Sequence, residues 1–66
     1  MTQFDIGQEI VFRHRGNVHR GIVMGREDAG QRHGMPRGVL LYVQVDGEQG
    51  QGWREVHQNQ VTEQRA

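Results

Sequence analysis

Hydrophobic and polar residues alternate over short runs of this chain, and glycines separate the runs. The clearest signal covers residues 8–24, where the runs Gln8–Arg15 and Val18–Met24 flank the pair Gly16-Asn17. Alternation with a period of two is typical of β-strands that bury one face. A Gly-Asn pair between two such runs favours a tight turn of the primed type. We therefore predict a β-hairpin with Gly16 and Asn17 as its turn.

Val39–Val45 is the strongest strand that the pattern predicts. One face of this strand carries three aliphatic residues, which we assign to the core: Leu41, Val43 and Val45. Leu40 and Tyr42 fall on the opposite face, where either the preceding loop or a partner would cover them.

The remaining elements are short. Arg26–Arg37 is a polar connection that contains the only proline, and its twelve residues are long for so small a domain, which favours a functional role. Asp46–Gly52 is a glycine-containing turn. Trp53–Val56 and Val61-Thr62 are predicted strands, with one helical turn over His57–Gln60 between them. Together these elements predict an all-β fold.

Five short strands joined by glycine turns are typical of a small barrel. The pattern Ile6-Gly7-x-x-Ile10-x-Phe12, then Gly16, then Gly21-x-Val23 resembles the first hairpin of SH3-like barrels of the Tudor and KOW type. Tyr42-Val43-x-Val45-Asp46-Gly47, then Trp53–Val56, a helical turn and Val61, is similar to their closing half. The resemblance covers roughly residues 6–63. It implies a single domain within residues 1–66, a five-stranded SH3-like barrel with one short helical turn before the last strand.

Two departures limit what the resemblance implies about activity. A Tudor domain that recognises methylated side chains needs clustered aromatic residues, and this chain has four in total, of which Phe12 is assigned to the core. Type II dihydrofolate reductases share the strand order but carry Val-Gln-Ile-Tyr on a late strand. The nearest string here, Tyr42-Val43-Gln44-Val45, has another order on another strand, so that activity is not carried over.

The composition argues against an enzyme. The chain has no cysteine, serine or lysine, which excludes disulfides, Ser/His or Cys/His catalysis, Schiff bases and the lysine-containing phosphate loop. His14 and His19 are predicted to face each other across the hairpin, and two imidazoles can begin a metal site. No third ligand can be placed beside them, since neither His33 nor His57 has a predicted position there. We expect no catalytic residues, no cofactor and no metal.

Charge is divided unevenly along a chain that is neutral overall. Residues 13–37 contain six arginines and two acidic residues, a net charge of +4, and the other residues carry a net charge of −4. With a Gly16-Asn17 turn, Arg13 is predicted to pair with Arg20, and like charges directly opposite destabilise a sheet unless solvent, an acid or a bound anion screens them. A basic stripe is the usual footprint of nucleic-acid binding. Halves of opposite charge equally favour self-association.

We therefore expect a non-enzymatic module that binds an anionic partner, most simply DNA or RNA. The predicted nucleic-acid contacts, with arginines on phosphates and an aromatic ring stacking, are Arg13, Arg15, Arg20, Arg32, Arg37 and Trp53. The alternative is a protein-interaction or self-assembling module, homo-oligomeric in the latter case, with an interface of Leu40, Tyr42 and Trp53. Trp53 could instead close the barrel. No run of apolar residues approaches the length of a membrane span, which is about 20 residues, and no apolar segment follows the N-terminus, so we expect a cytoplasmic protein with no membrane partner. The glycine-rich composition, in which every basic residue other than histidine is arginine, leads us to expect a bacterial source.

Overall fold

A computed structural model describes residues 4–31, 33–45 and 52–65. They form one antiparallel sheet with strand order β4-β3-β2-β1-β5, and two 3-10 turns. In chain order the elements are β1 (Glu9–His14), β2 (Asn17–Asp28), the 3-10 turn η1 (Ala29–Gln31), β3 (Val39–Val45), β4 (Gly52–His57), the 3-10 turn η2 (Gln58–Gln60) and β5 (Val61–Arg65). The predicted all-β fold, with one short helical turn before the last strand, is confirmed.

The strand order follows from how the chain returns after β4. Strands β1 to β4 form a meander in which each strand pairs with the next, and η2 then turns the chain so that β5 pairs with β1. This arrangement is compatible with an SH3-like barrel. In the part of the chain that the structure describes, neither helical turn has the length or apolar composition needed to cross a bilayer.

One face of the sheet carries the hydrophobic core, and we call the opposite face the outer face. The core cluster consists of Phe4, Ile10, Phe12, Val23, Leu41, Val43, Val45 and Val56. The three residues of β3 that the alternation assigned to the core are therefore confirmed. Phe4 is held there by the Arg26 guanidinium, which donates to its carbonyl oxygen.

Strand β2 is longer than its pattern predicted. It continues to Asp28, past a bulge at which the pairing with β3 shifts between Val23 and Gly25. A bulge of this kind bends the strand and increases its twist. The connection predicted over residues 26–37 is therefore shorter, and its first residues are part of the sheet.

The β1–β2 hairpin has a primed turn, but the turn residues are Arg15 and Gly16 rather than Gly16 and Asn17. Both have positive φ, 52° and 81° respectively, which is the signature of a type I′ turn. Arg13 consequently pairs with Val18, so the predicted pairing with Arg20 was wrong. Glycine occupies the second central position, as in the favoured Asn-Gly turns.

Arg15 is strained in this turn because a side chain with a Cβ is disfavoured at positive φ, whereas asparagine tolerates it. Arg15→Asn would create an Asn-Gly turn, and we expect it to raise the free energy of unfolding by about 0.5 kcal/mol. Urea denaturation of the two proteins measures this difference. A less stable variant would contradict the assigned turn.

Candidate nucleic-acid interface

The end of the β1–β2 hairpin, residues 13–20, is the most basic segment of the chain. We call it the hairpin tip; it contains three arginines, two histidines and no acidic residue. Arg20 pairs with Val11, and Arg13 lies two residues further along β1, so both arginines project from the outer face. Arg15 lies in the turn itself. All three side chains are exposed.

The charged groups of the hairpin-tip arginines are exposed to solvent and are not neutralised by nearby carboxylates of the described residues. Arg13, Arg15 and Arg20 make no ion pair within 4 Å in the part of the chain that the structure describes, whereas Arg65 pairs with Glu63 at 3.1 Å. Diagonal placement of Arg13 and Arg20 separates them further than the directly opposed pairing would have done. The cost of like charges is therefore lower than the predicted register implied, and the guanidinium groups remain available to a ligand.

The two histidines of the hairpin tip lie on the inner side of the sheet. His19 is stacked on Phe12, with ring centroids 5.5 Å apart, and His14 lies at 6.3 Å from His19 in a tilted arrangement. His14 pairs with Asn17 rather than with His19. No group of three metal-ligating side chains occurs among the described residues.

The turn η2 connects the hairpin tip to the loop before β3. Gln60 donates from Nε2 to the Arg13 carbonyl oxygen at 3.0 Å. His57, just before the turn, makes a 3.0 Å hydrogen bond between its Nε2 and the Pro36 carbonyl oxygen. The loop that carries exposed Arg37 is thus anchored to the same turn as β1. Arg32 lies outside the described residues.

Trp53 lies on the outer face of β4 and is 60% exposed. It therefore does not pack into the core, as the alternative prediction that Trp53 closes a barrel required. Its cross-strand neighbour is Gln44, whose neighbour on β2 is Ile22. Sequence reasoning did not identify Gln44 or Ile22 as neighbours of Trp53, because no local pattern reveals how three strands align.

The other residues of the predicted protein interface differ in exposure. Leu40 is 1% exposed, so it belongs to the interior and offers no surface to a partner. Tyr42 is half-buried and donates its hydroxyl hydrogen to the Glu27 carboxylate. Of the three residues, Trp53 alone presents a large exposed apolar surface.

Acidic residues divide the outer face. Glu9 pairs with Ile22 on one side and Arg65 on the other, and Glu63, already in an ion pair with Arg65, lies opposite Val11. The uncompensated positive charge therefore concentrates at the hairpin tip and not over the whole face.

Comparison of the chain with family models, with curated proteins and with solved structures gives no match.

Proposed function

We propose that this protein is a non-enzymatic binding module of the SH3-like, Tudor/KOW-like type that contacts nucleic acid through the hairpin tip. The observation that carries the proposal is the group of exposed arginines, Arg13, Arg15 and Arg20, none of which has an ion-pair partner among the described residues. A guanidinium group forms bidentate hydrogen bonds with phosphate. The expected setting is the bacterial cytoplasm.

The number of cations limits the strength of this binding. Each neutralised phosphate contributes about −0.9 to the slope of log affinity against log salt on duplex DNA. Three contacts give a slope of about −3, so binding should be measurable at low salt and weak at physiological salt. Arg37 is not counted among the three, because its side chain lies beside Gly30, just past the end of β2 that is opposite to the hairpin tip.

The double variant Arg13→Ala/Arg20→Ala tests the proposal. We expect its salt slope to fall in magnitude by about 2 and its low-salt affinity for oligonucleotides to fall at least tenfold, because two phosphate contacts are lost. Fluorescence anisotropy of labelled single- and double-stranded oligonucleotides at two salt concentrations measures both quantities.

The matched control is Arg54→Ala, compared with Arg13→Ala alone. Each variant removes one exposed arginine that has no ion pair among the described residues, and Arg54, opposite Val43, projects from the other face of the sheet. Arg54→Ala should leave the salt slope unchanged if binding is local, and equal losses in the two single variants would show only a general charge effect. Absence of binding by the unaltered protein at low salt would overturn the proposal.

The exposure of Trp53 supports a second candidate function, a protein-interaction or self-assembling module. A monomer that leaves Trp53, Ile22 and Met24 exposed has apolar area to bury against a partner. Sedimentation over a range of protein concentrations tests for a homo-oligomer. A concentration-independent monomer mass would remove self-assembly.

A further inference from the structure

We infer that the nucleic acid bound is single-stranded, and that it crosses the outer face from Arg20 to Trp53 with one base stacked on the indole ring. This inference rests on the proposed function and adds the class of nucleic acid. Its basis is the row that cross-strand pairing builds from Trp53 through Gln44 to Ile22.

Trp53 has the properties of a stacking platform. Only 33% of the residues in this chain are hydrophobic, and it has one tryptophan; nevertheless that side chain is left 60% exposed on a strand. Water solvates the flat faces of an exposed indole ring poorly, whereas a base of any identity can stack on them.

The spacing of the sheet puts Trp53 within reach of the hairpin tip. Neighbouring strands are about 4.8 Å apart, so Trp53 and Ile22, two strands away, are separated by about 10 Å. Arg20 is on the same face of β2 as Ile22, about 7 Å further along the strand. One short segment of nucleic acid can therefore contact the indole and the guanidinium groups together.

Stacking on Trp53 requires an unpaired strand. In a duplex the faces of each base are covered by the neighbouring bases, so an indole ring cannot stack on them. Recognition of a duplex sequence instead requires a helix or strand that enters a groove. The residues described here contain no α-helix, and Trp53 lies within the sheet face rather than on a projecting loop. Splayed bases on a sheet surface with flanking arginines are the arrangement typical of single-strand binding.

Glu9 sets the side on which the strand passes. Its carboxylate is beside Ile22 on β1 and repels phosphates there, whereas Gln44 on the β3 side is uncharged and exposed. The backbone is therefore expected to pass over Gln44. Glu9→Gln should increase the affinity for a single strand severalfold.

The single tryptophan makes stacking directly observable. We expect a single-stranded oligonucleotide to quench the emission of Trp53, and a duplex of the same sequence to leave it nearly unchanged. Trp53→Ala should weaken single-strand binding about tenfold and leave duplex binding unaltered. Trp53→Phe, which keeps an aromatic face, should retain most of the affinity in anisotropy measurements.

The outcomes separate this inference from the proposed function. Equal affinity for single strand and duplex, unchanged emission and full binding by Trp53→Ala would overturn the inference, while loss of binding in Arg13→Ala/Arg20→Ala would leave the proposed function standing. No binding of any oligonucleotide would overturn both. An emission shift that follows protein concentration in the absence of oligonucleotide would overturn the inference by assigning Trp53 to an interface between copies.

Discussion

Gly21→Ala is expected to lower the free energy of unfolding by about 3 kcal/mol. Gly21 is buried on the core side of β2, and a Cβ at this position would lie 2.4 Å from Val43 Cγ1 and 2.7 Å from the Gln44 carbonyl oxygen. The valine methyl group can rotate away. The carbonyl oxygen belongs to the backbone of β3, so relief of that contact requires the two strands to separate.

The expected loss is large relative to the stability of so short a chain. At about 0.05–0.15 kcal/mol per residue, a domain of 66 residues has only about 3–10 kcal/mol of total stability. Gly21→Ala is therefore expected to unfold a measurable fraction of the protein at 25 °C. Circular dichroism with urea denaturation gives the difference in free energy.

Gly52→Ala is the matched control. Gly21 and Gly52 lie in the same row of the sheet, since both pair with Val45, but a Cβ at Gly52 would have no atom within 4 Å. The control is expected to be as stable as the original protein. If both alanine variants were equally stable, the close approach of β2 and β3 at Gly21 would be refuted.

His57→Ala is expected to cost about 2–3 kcal/mol. His57 is 7% exposed, and among the described residues it is the polar residue that is buried. Its Nδ1 accepts a hydrogen bond from the Asn59 backbone N–H at 3.1 Å, which leaves the hydrogen on Nε2 for the Pro36 carbonyl oxygen. Alanine would remove both partners and leave a cavity.

His57→Asn separates the two contributions. His57 is the N-cap of η2, and asparagine is a favoured N-cap whose side chain can accept the same backbone hydrogen bond. We expect it to recover about 1 kcal/mol of the loss. The contact with Pro36 would remain absent, so the loop before β3 should be cleaved faster by protease in both variants. Equal stability of the two variants would assign the whole loss to packing and to Pro36.

Arg15 shows how the proposed function conflicts with stability. Its positive φ destabilises the turn, yet its guanidinium group is one of three at the hairpin tip. A more stable turn residue without charge would remove one of the proposed phosphate contacts. Strain retained at a ligand-binding position is a common compromise, and the two effects of Arg15→Asn are expected to have opposite signs.

The core face of β3 and the overall all-β fold were predictable because they depend on local alternation. Leu41, Val43 and Val45 are separated by single polar or outward residues, and that spacing determines which side is buried wherever the strand pairs. The helical turn before the last strand was predictable for a similar reason, since its capping interactions join residues that are only two or three positions apart.

The hairpin register shows where local patterns stop being informative. Moving a two-residue turn by one position shifts each cross-strand partner by two residues, so every side chain keeps its face. Ile10 and Phe12 point to the core in both registers, and hydrophobicity therefore cannot choose between them. The choice depends on backbone geometry, which places glycine at the second central position of the turn.

The sequence alone was enough to predict that there are five strands, which face of β3 is buried and that positive charge concentrates in residues 13–37, because each depends on neighbours along the chain; the extension of β2 to Asp28 was not predictable in this way. Tertiary structure decided that Trp53 is exposed, that Leu40 is buried and that Gln60 holds the backbone of Arg13. These facts depend on which strands lie side by side and at what register. The free energy that selects such pairings comes from contacts between residues far apart in sequence, and no local pattern records it.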